Sequence, residues 1–299
     1  MIETQNFKSG YVAIIGKPNA GKSTFLNVLI GEKLAITTSK PQTTRHKIVG
    51  IYNDKTSQII FLDTPGIIKA KYKLHSAMMN SMHSAISDAD VLFHIIDVEK
   101  FSIEKFQNEI DFKIIKETKK KTYLILNKSD LTNKIDILPI IDICAKTNIY
   151  LEIFPISALH RVGVNEIIQD IKKHLPSDVP FYMEDDISIH PQKFFVSELI
   201  REQIFYLLRD EIPYSTTIQI VNFQENENFD KISAEIIVDK KSLKQIVIGN
   251  KGSMLKNIGI QSRKEIEKFL NKKIFLELFV KVRENWREDE IKLKEFGYK

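Results

Sequence analysis

Residues Gly16-Lys-Pro-Asn-Ala-Gly-Lys-Ser23 are the strongest indication of the fold of the first half of the chain. They match the spacing G-x-x-x-x-G-K-[ST], follow an apolar run at 11–15 and precede a helical pattern at 24–29. In this context the glycines let backbone N–H groups turn toward phosphates, and the helix N-terminus adds favourable positive charge. The stretch predicts a phosphate-binding loop in which Lys22 reaches the β- and γ-phosphates and Ser23 binds Mg²⁺.

Around this loop, short apolar runs alternate with helical patterns through the first 175 residues. The predicted strands are 11–15, 46–52, 58–62, 91–96, 122–126 and 151–154, and the predicted helices include 24–29, 74–87, 103–118 and 165–174. Four of the strands are continuous β-branched and apolar runs, as strands buried on both faces are. The pattern predicts an α/β domain over residues 1–175, with a mostly parallel sheet and helices on both faces.

Three further motifs stand at predicted strand ends and indicate which nucleotide is bound. In Asp63-Thr-Pro-Gly66 the carboxylate can bind Mg²⁺ through water and the glycine N–H can meet the γ-phosphate. Asp130 of Asn127-Lys-Ser-Asp130 can accept both N–H groups on one edge of guanine, which adenine lacks. Ile156-Ser-Ala158 can give a backbone N–H to the guanine oxygen. The four motifs together predict a P-loop domain that binds GTP and GDP.

The residues predicted to bind the nucleotide are Gly16, Lys17, Pro18, Asn19, Ala20, Gly21, Lys22, Ser23, Thr24, Asp63, Thr64, Pro65, Gly66, Ile67, Asn127, Lys128, Asp130, Ser157 and Ala158.

The loop at 36–46 occupies the place of a nucleotide-dependent switch. Thr43 or Thr44 could offer a hydroxyl to Mg²⁺ when the γ-phosphate is present. The predicted metal ligands are therefore Ser23, Thr44 and Asp63, and the predicted catalytic groups are Lys22, Thr43, Thr44 and Gly66.

Ras-like enzymes orient the attacking water with a glutamine that follows the glycine of this motif, but Ile67 and Ile68 follow Gly66 here. We therefore expect a GTPase with slow, partner-sensitive turnover. The alternative is a protein that senses GTP and GDP with negligible turnover.

The strand–helix alternation ends at residues 176–192, a proline-containing and acidic stretch that we predict to be a linker. The patterns that follow are a helix at 193–211, strands at 216–223 and 232–238, helices at 243–248 and 253–270, and a strand at 274–282. The order αββααβ predicts a small α+β domain over residues 193–283, followed by a C-terminal tail at 284–299.

A second glycine loop, Gly249-Asn-Lys-Gly252, joins two predicted helices in that domain. Such a Gly-x-x-Gly turn indicates a KH module, which clamps the backbone of about four nucleotides of single-stranded nucleic acid. Residues 240–283 hold twelve lysines and arginines against three acidic residues, which favours a polyanionic partner over a helix turn with incidental lysines. The predicted RNA-binding residues are Lys244, Ile248, Gly249, Asn250, Lys251, Gly252 and Lys256.

Composition narrows the remaining possibilities. Cys144 is the one cysteine, so an internal disulfide framework is excluded and a reducing cytosol is favoured. The N-terminus lacks a signal-peptide pattern and no apolar run reaches the roughly 18 residues that span a bilayer. We expect a cytoplasmic protein that is at most peripheral to a membrane, with no zinc-type metal site.

The two halves together resemble the Era family of bacterial GTPases, which carry a C-terminal type II KH domain. The resemblance runs nearly end to end, and its most specific motifs are Gln42-Thr-Thr-Arg-His46 and Asp210-Glu-Ile-Pro213. Ala20 stands where a valine is common in the family, a mild departure.

The resemblance implies a monomer that binds the 3′ end of 16S rRNA and assists assembly of the 30S ribosomal subunit, using GTP, GDP and Mg²⁺. It also implies peripheral association with the inner membrane. A membrane-peripheral regulatory GTPase that binds anionic lipid through its basic face is therefore a further alternative.

Overall fold

The computed structural model describes residues 7–176 and 178–298. These divide into two compact units. The first comprises the chain up to Ala35, Thr44–Lys69 and Met79–Ile189, and the second comprises Ile36–Thr43, Ala70–Met78 and the residues from His190 on. Each unit is therefore built from segments that are not contiguous in the chain. Residues 1–6 of the predicted first domain, Ser177 of the predicted linker and Lys299 of the predicted tail lie outside the described residues.

The first unit is built on a six-stranded sheet in the order β2-β3-β1-β4-β5-β6. Its strands are β1 (Lys8–Ile15), β2 (Ile48–Asp54), β3 (Ser57–Asp63), β4 (Val91–Asp97), β5 (Lys121–Asn127) and β6 (Glu152–Pro155). Its helices are α1 (Lys22–Ile30), α2 (Lys73–Asp88), of which the first turns belong to the second unit, α3 (Ile110–Thr118), α4 (Lys134–Ala145) and α5 (Val164–Ile171). β2 is antiparallel to β3 and the other neighbouring pairs are parallel, which confirms the predicted mostly parallel sheet.

Helices cover both faces of this sheet, as adjacent residues of β4 show. Leu92 belongs to one buried cluster with Met82 of α2, whereas the ring of Phe93 lies 6.0 Å from that of Phe25 in α1. Successive side chains of a strand point to opposite faces, so α1 and α2 lie on opposite sides. Both faces exclude water, which explains the continuous apolar runs in the sequence.

The single helix expected at 103–118 is wrong. A short 3-10 turn at Phe106–Asn108 is followed by the extended residue Glu109, with φ −68° and ψ 148°, and α3 starts only at Ile110. The break lets the Phe106 ring pack 4.8 Å from the ring of Phe112. Burial of these rings therefore outweighs the helical propensity of the intervening residues.

The segment predicted as a linker lies along the β2–β3 side of the first unit. Gln58 of β3 is only 1% exposed and organises this contact. Its side-chain oxygen accepts from the backbone N–H groups of Phe181 (2.6 Å) and Tyr182 (2.9 Å). Its amide nitrogen donates to the Tyr182 carbonyl (2.9 Å) and to Asn53 Oδ1 (2.8 Å). Further along, the Ile51 N–H donates to the Ile187 carbonyl at 2.9 Å, so the outer strand is partly covered.

The second unit is a small α+β fold on a three-stranded sheet in the order β7-β8-β9. Its elements are α6 (Gln192–Leu207), β7 (Thr216–Gln224), β8 (Asp230–Val238), α7 (Lys241–Ile248), α8 (Ser253–Leu270), β9 (Ile274–Val282) and α9 (Glu290–Glu295). β7 and β8 are antiparallel, and β8 and β9 are parallel. Through β9 the order is the predicted αββααβ.

The apolar core of the second unit joins α6, α8 and one face of the sheet. Ile200, Ile258 and Ile236 are fully buried in it. After β9 the chain stays attached: the Trp286 indole is fully buried and its Nε1 donates to the Ser215 carbonyl at 3.1 Å. No helix among the described residues has the length and apolar character needed to cross a membrane.

The helix expected at 193–211 ends four residues early. Leu208 is extended, with φ −103° and ψ 156°, and Asp210 adopts a left-handed φ of 52°. Pro213 then begins a short 3-10 helix. A left-handed residue and a proline cannot continue a helix, so this turn fixes where α6 stops.

The hydrogen bonds of Gln58 yield a stability prediction. We expect Gln58→Ala to lower the free energy of unfolding of the first unit by about 2–4 kcal/mol, since it leaves two partly buried backbone N–H groups without acceptors. Limited proteolysis within residues 178–189 should also become faster. The exposed Gln107→Ala is the control and should change the free energy by less than about 0.5 kcal/mol. Urea unfolding and cleavage mapping check both, and equal behaviour of the two variants would contradict the role of Gln58.

Candidate functional site

The phosphate-binding loop runs from the end of β1 into α1, and two of its glycines have close neighbours. Gly16 and Gly21 have φ values of 156° and 99°. A Cβ at Gly16 would lie 2.3 Å from the Ile95 carbonyl oxygen, and one at Gly21 would lie 2.1 Å from Asn127 Nδ2. Both distances are shorter than any real contact, so the loop takes this path only because these residues lack side chains.

Asn127 joins three of the predicted nucleotide motifs. Its Nδ2 donates to the Ala20 carbonyl at 2.8 Å, and its Oδ1 accepts from the Ala158 N–H at 3.0 Å. The side chain is only 3% exposed. A buried amide with both ends satisfied holds its partners at fixed spacing. The phosphate loop, the end of β5 and the loop after β6 are therefore positioned relative to one another.

Lys22 lies beneath the loop. Its Nζ donates to the carbonyls of Gly16 (3.1 Å) and Lys17 (2.9 Å). Burial lowers the pKa of Lys22 to about 8, while the carboxylates of Asp63 and Asp111 act in the opposite direction. When phosphate oxygens enter the loop, the ammonium group can exchange its two carbonyl acceptors for them.

The predicted metal ligands Ser23, Thr44 and Asp63 come together. Ser23 Oγ donates to Asp63 Oδ2 at 2.6 Å and lies 2.7 Å from Thr44 Oγ1. Asp63 is fully buried, and burial raises its pKa to about 6 against the influence of Lys22 and the Ser23 hydroxyl.

Asp63 Oδ1 is a buried oxygen with no hydrogen-bond partner among the described residues. Two hydroxyls and a carboxylate with a spare oxygen are the hard ligands that Mg²⁺ takes, with water completing its shell. The residues present therefore fit this ion, which would supply charge neutralisation at the phosphates.

Thr43 has a different environment from its neighbour. Its hydroxyl bonds within its own segment, to Thr38 Oγ1 (2.6 Å) and the Lys40 carbonyl (2.8 Å). Of the two threonines proposed for the metal, the geometry favours Thr44, whose hydroxyl lies beside Ser23.

The remaining nucleotide residues occupy the loops at the same sheet edge. Thr64 Oγ1 donates to the Ile14 carbonyl at 2.8 Å, and a Cβ on Gly66 would lie 2.7 Å from the Pro18 nitrogen. The Ile67 N–H donates to the Gly16 carbonyl at 3.3 Å. The segment from Asp63 therefore runs directly against the phosphate loop, with Gly66 at the closest approach.

Asp130 is exposed, as a group that reads a base must be. A hydrogen bond from the Ser157 side chain is the main cause that lowers its pKa, so Asp130 is ionised at neutral pH and able to accept hydrogen bonds. Ser157 thus acts on the carboxylate rather than standing only as a loop residue.

Two residues that shape the site were not predicted from the sequence. Asp97, at the end of β4, pairs with Lys128 Nζ at 2.6 Å and is only 7% exposed. Asn27 in α1 accepts from the N–H groups of Leu34 (3.0 Å) and Ala35 (2.8 Å), which fixes the chain as it enters the switch segment. Asp97 could have been predicted, because it is a polar residue at the end of a buried strand. No sequence pattern indicates the role of Asn27, because its partners are backbone groups.

The second glycine loop joins α7 to α8 through three residues with left-handed φ. These are Gly249 (73°), Lys251 (50°) and Gly252 (80°). A Cβ on Gly249 would lie 2.7 Å from Met254 Cβ, so this glycine is required for packing. No heavy atom lies within 4 Å of a Cβ placed on Gly252, which faces open space. The loop thus offers its second glycine to a ligand.

Charged and apolar groups flank that open glycine. Asn250, Lys251 and Lys256 are exposed, and Lys244 is partly exposed. On the two helices that the loop joins, Ile246 and Ile260 keep 48% and 44% of their surface exposed. Cations suited to phosphates next to apolar surface suited to bases are the requirements for binding single-stranded nucleic acid.

The folds and sites define the class: a P-loop GTPase domain followed by a KH domain. Family models agree, since a 50S ribosome-binding GTPase model matches residues 11–128 and a KH domain model matches residues 211–287.

Relatives then identify the family. The chain is 43% identical to the GTPase Era of Geobacter metallireducens over 294 residues, 98% of each chain. It is 42% identical to the GTPase Era of Lactobacillus helveticus over 298 residues, 99% of this chain and 98% of the relative. The chain belongs to the Era family of GTPases.

Two solved structures have the same fold over nearly the whole chain. A variant of Aquifex aeolicus Era bound to GDP.AlF4⁻ matches with a TM-score of 0.90 and 38% identity, covering 98% of this chain and 99% of that one. A complex of Era with MgGDPNP and nucleotides 1506–1542 of 16S ribosomal RNA matches with a TM-score of 0.89, at the same identity and coverage.

The spacing around Gly21 leads to a binding prediction. We expect Gly21→Ala to weaken GTP and GDP binding about 100-fold or more, because its methyl group would displace the Asn127 amide and strain the loop. Gly31→Ala is a matched control, because Gly31 has a φ of 84° but no neighbour within 4 Å. It should cost about 1 kcal/mol of stability and leave affinity unchanged. Titration with a fluorescent GDP analogue distinguishes them, and equal affinities would contradict the Asn127 clamp.

Proposed function

We propose that this GTPase controls the hold of its KH domain on the 3′ end of 16S rRNA during 30S subunit assembly. The observation that carries the proposal is the presence of two unlike phosphate sites in one chain. The first places an oxygen cluster of Ser23, Thr44 and Asp63 beside an enclosed loop. The second presents Gly252 openly among exposed lysines.

The two sites suit different phosphates. The first loop has its glycines pressed against protein atoms, which suits a nucleotide held in a fixed position. The second leaves room for a chain to pass over Gly252 and for bases to meet Ile246 and Ile260. The complex of a related Era with nucleotides 1506–1542 of 16S rRNA supports this target.

Hydrolysis by this GTPase proceeds without the glutamine of Ras-like enzymes. Ile67 occupies the position after Gly66, and its N–H is bonded to the Gly16 carbonyl. The attacking water is therefore positioned by backbone groups, by the 36–46 loop or by a partner, and intrinsic turnover is slow. Lys22 and the Gly66 N–H remain the groups that we propose to stabilise charge on the γ-phosphate.

RNA should accelerate this slow step if the two sites are linked. We expect single-turnover GTP hydrolysis to rise about tenfold or more on adding RNA of nucleotides 1506–1542, relative to a scrambled RNA of equal length. Rapid-quench measurement of phosphate release checks the expectation. Fast turnover without RNA would contradict the proposal that hydrolysis is slow because the glutamine of Ras-like enzymes is missing. Negligible turnover in both conditions would favour the sensing alternative for the switch.

The open glycine provides a test of the RNA site. We expect Gly252→Asp to abolish binding of the same RNA and to leave GTP affinity unchanged, because a carboxylate would face the phosphodiester. Gly252→Asn is the matched control, since both residues tolerate a left-handed φ and have the same shape. It should bind RNA about tenfold or more tightly than the aspartate variant. Fluorescence anisotropy and GDP titration measure both affinities; equal loss of RNA and GTP binding would show that the loop is misassigned.

We also propose that the protein is a cytoplasmic monomer with peripheral contact to the inner membrane. The basic segment at 240–283 supports attraction to an anionic surface. Sedimentation of the purified protein with vesicles containing phosphatidylglycerol, with and without RNA, tests the membrane contact. Competition between RNA and vesicles would place both on the same face.

A further inference from the structure

Residues Ile36–Thr43 of the predicted switch loop at 36–46, called the switch segment below, belong to the second unit together with α6. Peptide bonds join its ends to Ala35 and Thr44 of the first unit. Thr44 carries the hydroxyl that lies 2.7 Å from Ser23. One short stretch of chain therefore ends at a predicted metal ligand and has its middle in the unit that carries the KH domain.

The middle of this segment is a compact turn. Thr38 Oγ1 lies 2.6 Å from Thr43 Oγ1 and accepts from the Lys40 N–H at 3.2 Å, while the Thr43 hydroxyl donates to the Lys40 carbonyl at 2.8 Å. Gln42 has a left-handed φ of 60° that the turn requires. Three hydrogen bonds across six residues make the turn move as one piece.

Lys40 from this turn satisfies the end of α6. The last carbonyls of a helix have no partner within the helix and carry a negative partial charge. Lys40 Nζ donates to the Phe205 carbonyl and to the Leu208 carbonyl, the latter at 2.5 Å. Lys40, about 165 positions earlier in the chain, thus caps the C-terminal end of α6.

A second contact holds the segment to the same helix. The Thr37 N–H donates to Glu202 Oε1 at 3.2 Å, and the Tyr206 hydroxyl donates to the Thr37 carbonyl at 2.6 Å. Both backbone groups of Thr37 are therefore bound by side chains of α6.

The Asp210-Glu-Ile-Pro213 motif forms the turn that follows the end of α6. The left-handed φ of Asp210 turns the chain just after α6. This turn lies close in sequence to the carbonyls of Phe205 and Leu208, which accept from Lys40. Burial and the Arg209 guanidinium lower the pKa of Lys40, and the Asp210 carboxylate acts in the opposite direction. The motif shapes the socket for the lysine.

We propose that Lys40 is a positioning residue that couples the nucleotide state of the switch segment to the RNA-binding unit, with the end of α6 and the Asp210–Pro213 turn as its socket. The inference rests on the proposed GTP control of RNA binding. Thr44 lies four positions after Lys40, so the Cα atoms of the two residues are at most about 14 Å apart. A displacement of Thr44 on nucleotide exchange is therefore passed to Lys40 through a stiff turn, and either shifts α6 or releases the lysine.

The test compares RNA affinity in two nucleotide states. Binding of RNA of nucleotides 1506–1542 is measured with GDPNP and with GDP, and the ratio of the two affinities reports the coupling. We expect Lys40→Met, which keeps the apolar stem, to reduce this ratio about fivefold or more toward one. Lys40→Arg should restore most of the wild-type ratio, because it can still donate to both carbonyls. Lys55→Met, at an exposed turn between β2 and β3, should leave the ratio unchanged.

A second variant distinguishes loss of coupling from misfolding. Tyr206→Phe removes only the hydroxyl that bonds the Thr37 carbonyl, and Tyr206 is 57% exposed, so the fold is retained. Both Lys40→Met and Tyr206→Phe should speed amide hydrogen exchange at residues 36–43 and keep nucleotide affinity within about twofold.

The outcomes distinguish failure of the proposed GTP control from failure of the role of Lys40. A wild-type affinity ratio near one overturns the proposed GTP control, and the coupling role of Lys40 with it. A large wild-type ratio that persists in Lys40→Met and Tyr206→Phe overturns the role of Lys40 alone and leaves GTP control standing.

Discussion

The nucleotide site depends on one buried amide, that of Asn127. It bonds the Ala20 carbonyl and the Ala158 N–H, and so fixes the spacing between the phosphate loop and the two loops predicted to contact the base. Gly21 must be a glycine because this amide occupies the space where a Cβ would stand. The site is therefore organised by protein contacts, and binding energy need not be used to assemble its three loops.

Backbone approach to phosphate is the shared requirement of the two glycine loops, and their surroundings make them different. At Gly16 and Gly21 the missing side chains make room for the protein itself. Gly249 likewise makes room for Met254, whereas Gly252 opens to solvent. An enclosed loop between a strand and a helix holds one nucleotide, and an open turn between two helices can hold any part of a long chain. The likeness of the two loops in sequence reflects a common physical need and not a duplicated function.

In the coupling that we propose, the switch segment connects these functions by capping a helix. The last carbonyls of a helix need donors from outside it, and Lys40 donates to the Phe205 carbonyl of α6 and to the Leu208 carbonyl just after the helix. The segment that carries Lys40 is followed by Thr44, whose hydroxyl lies 2.7 Å from that of Ser23, another predicted metal ligand. The turn at Asp210 sets where the carbonyls are presented. A switch built on such a cap can be released at the cost of a few hydrogen bonds, which is the energy range of allosteric coupling.

The two fold classes, the order of elements and the motif residues could be predicted from the sequence. This was possible because the motifs are local and because the carboxyl ends of parallel strands meet at one edge, which brings Ser23 and Asp63 together. The predicted bounds of the helices at 103–118 and 193–211 were wrong, because the burial of Phe106 and Phe112 and the left-handed Asp210 override helical propensity. Only the tertiary structure showed that Thr44 rather than Thr43 lies beside Ser23, that Asp97 holds Lys128 and that Lys40 caps α6. These are contacts between residues far apart in the chain, and their partners are often backbone carbonyls, which every residue carries and no sequence pattern distinguishes.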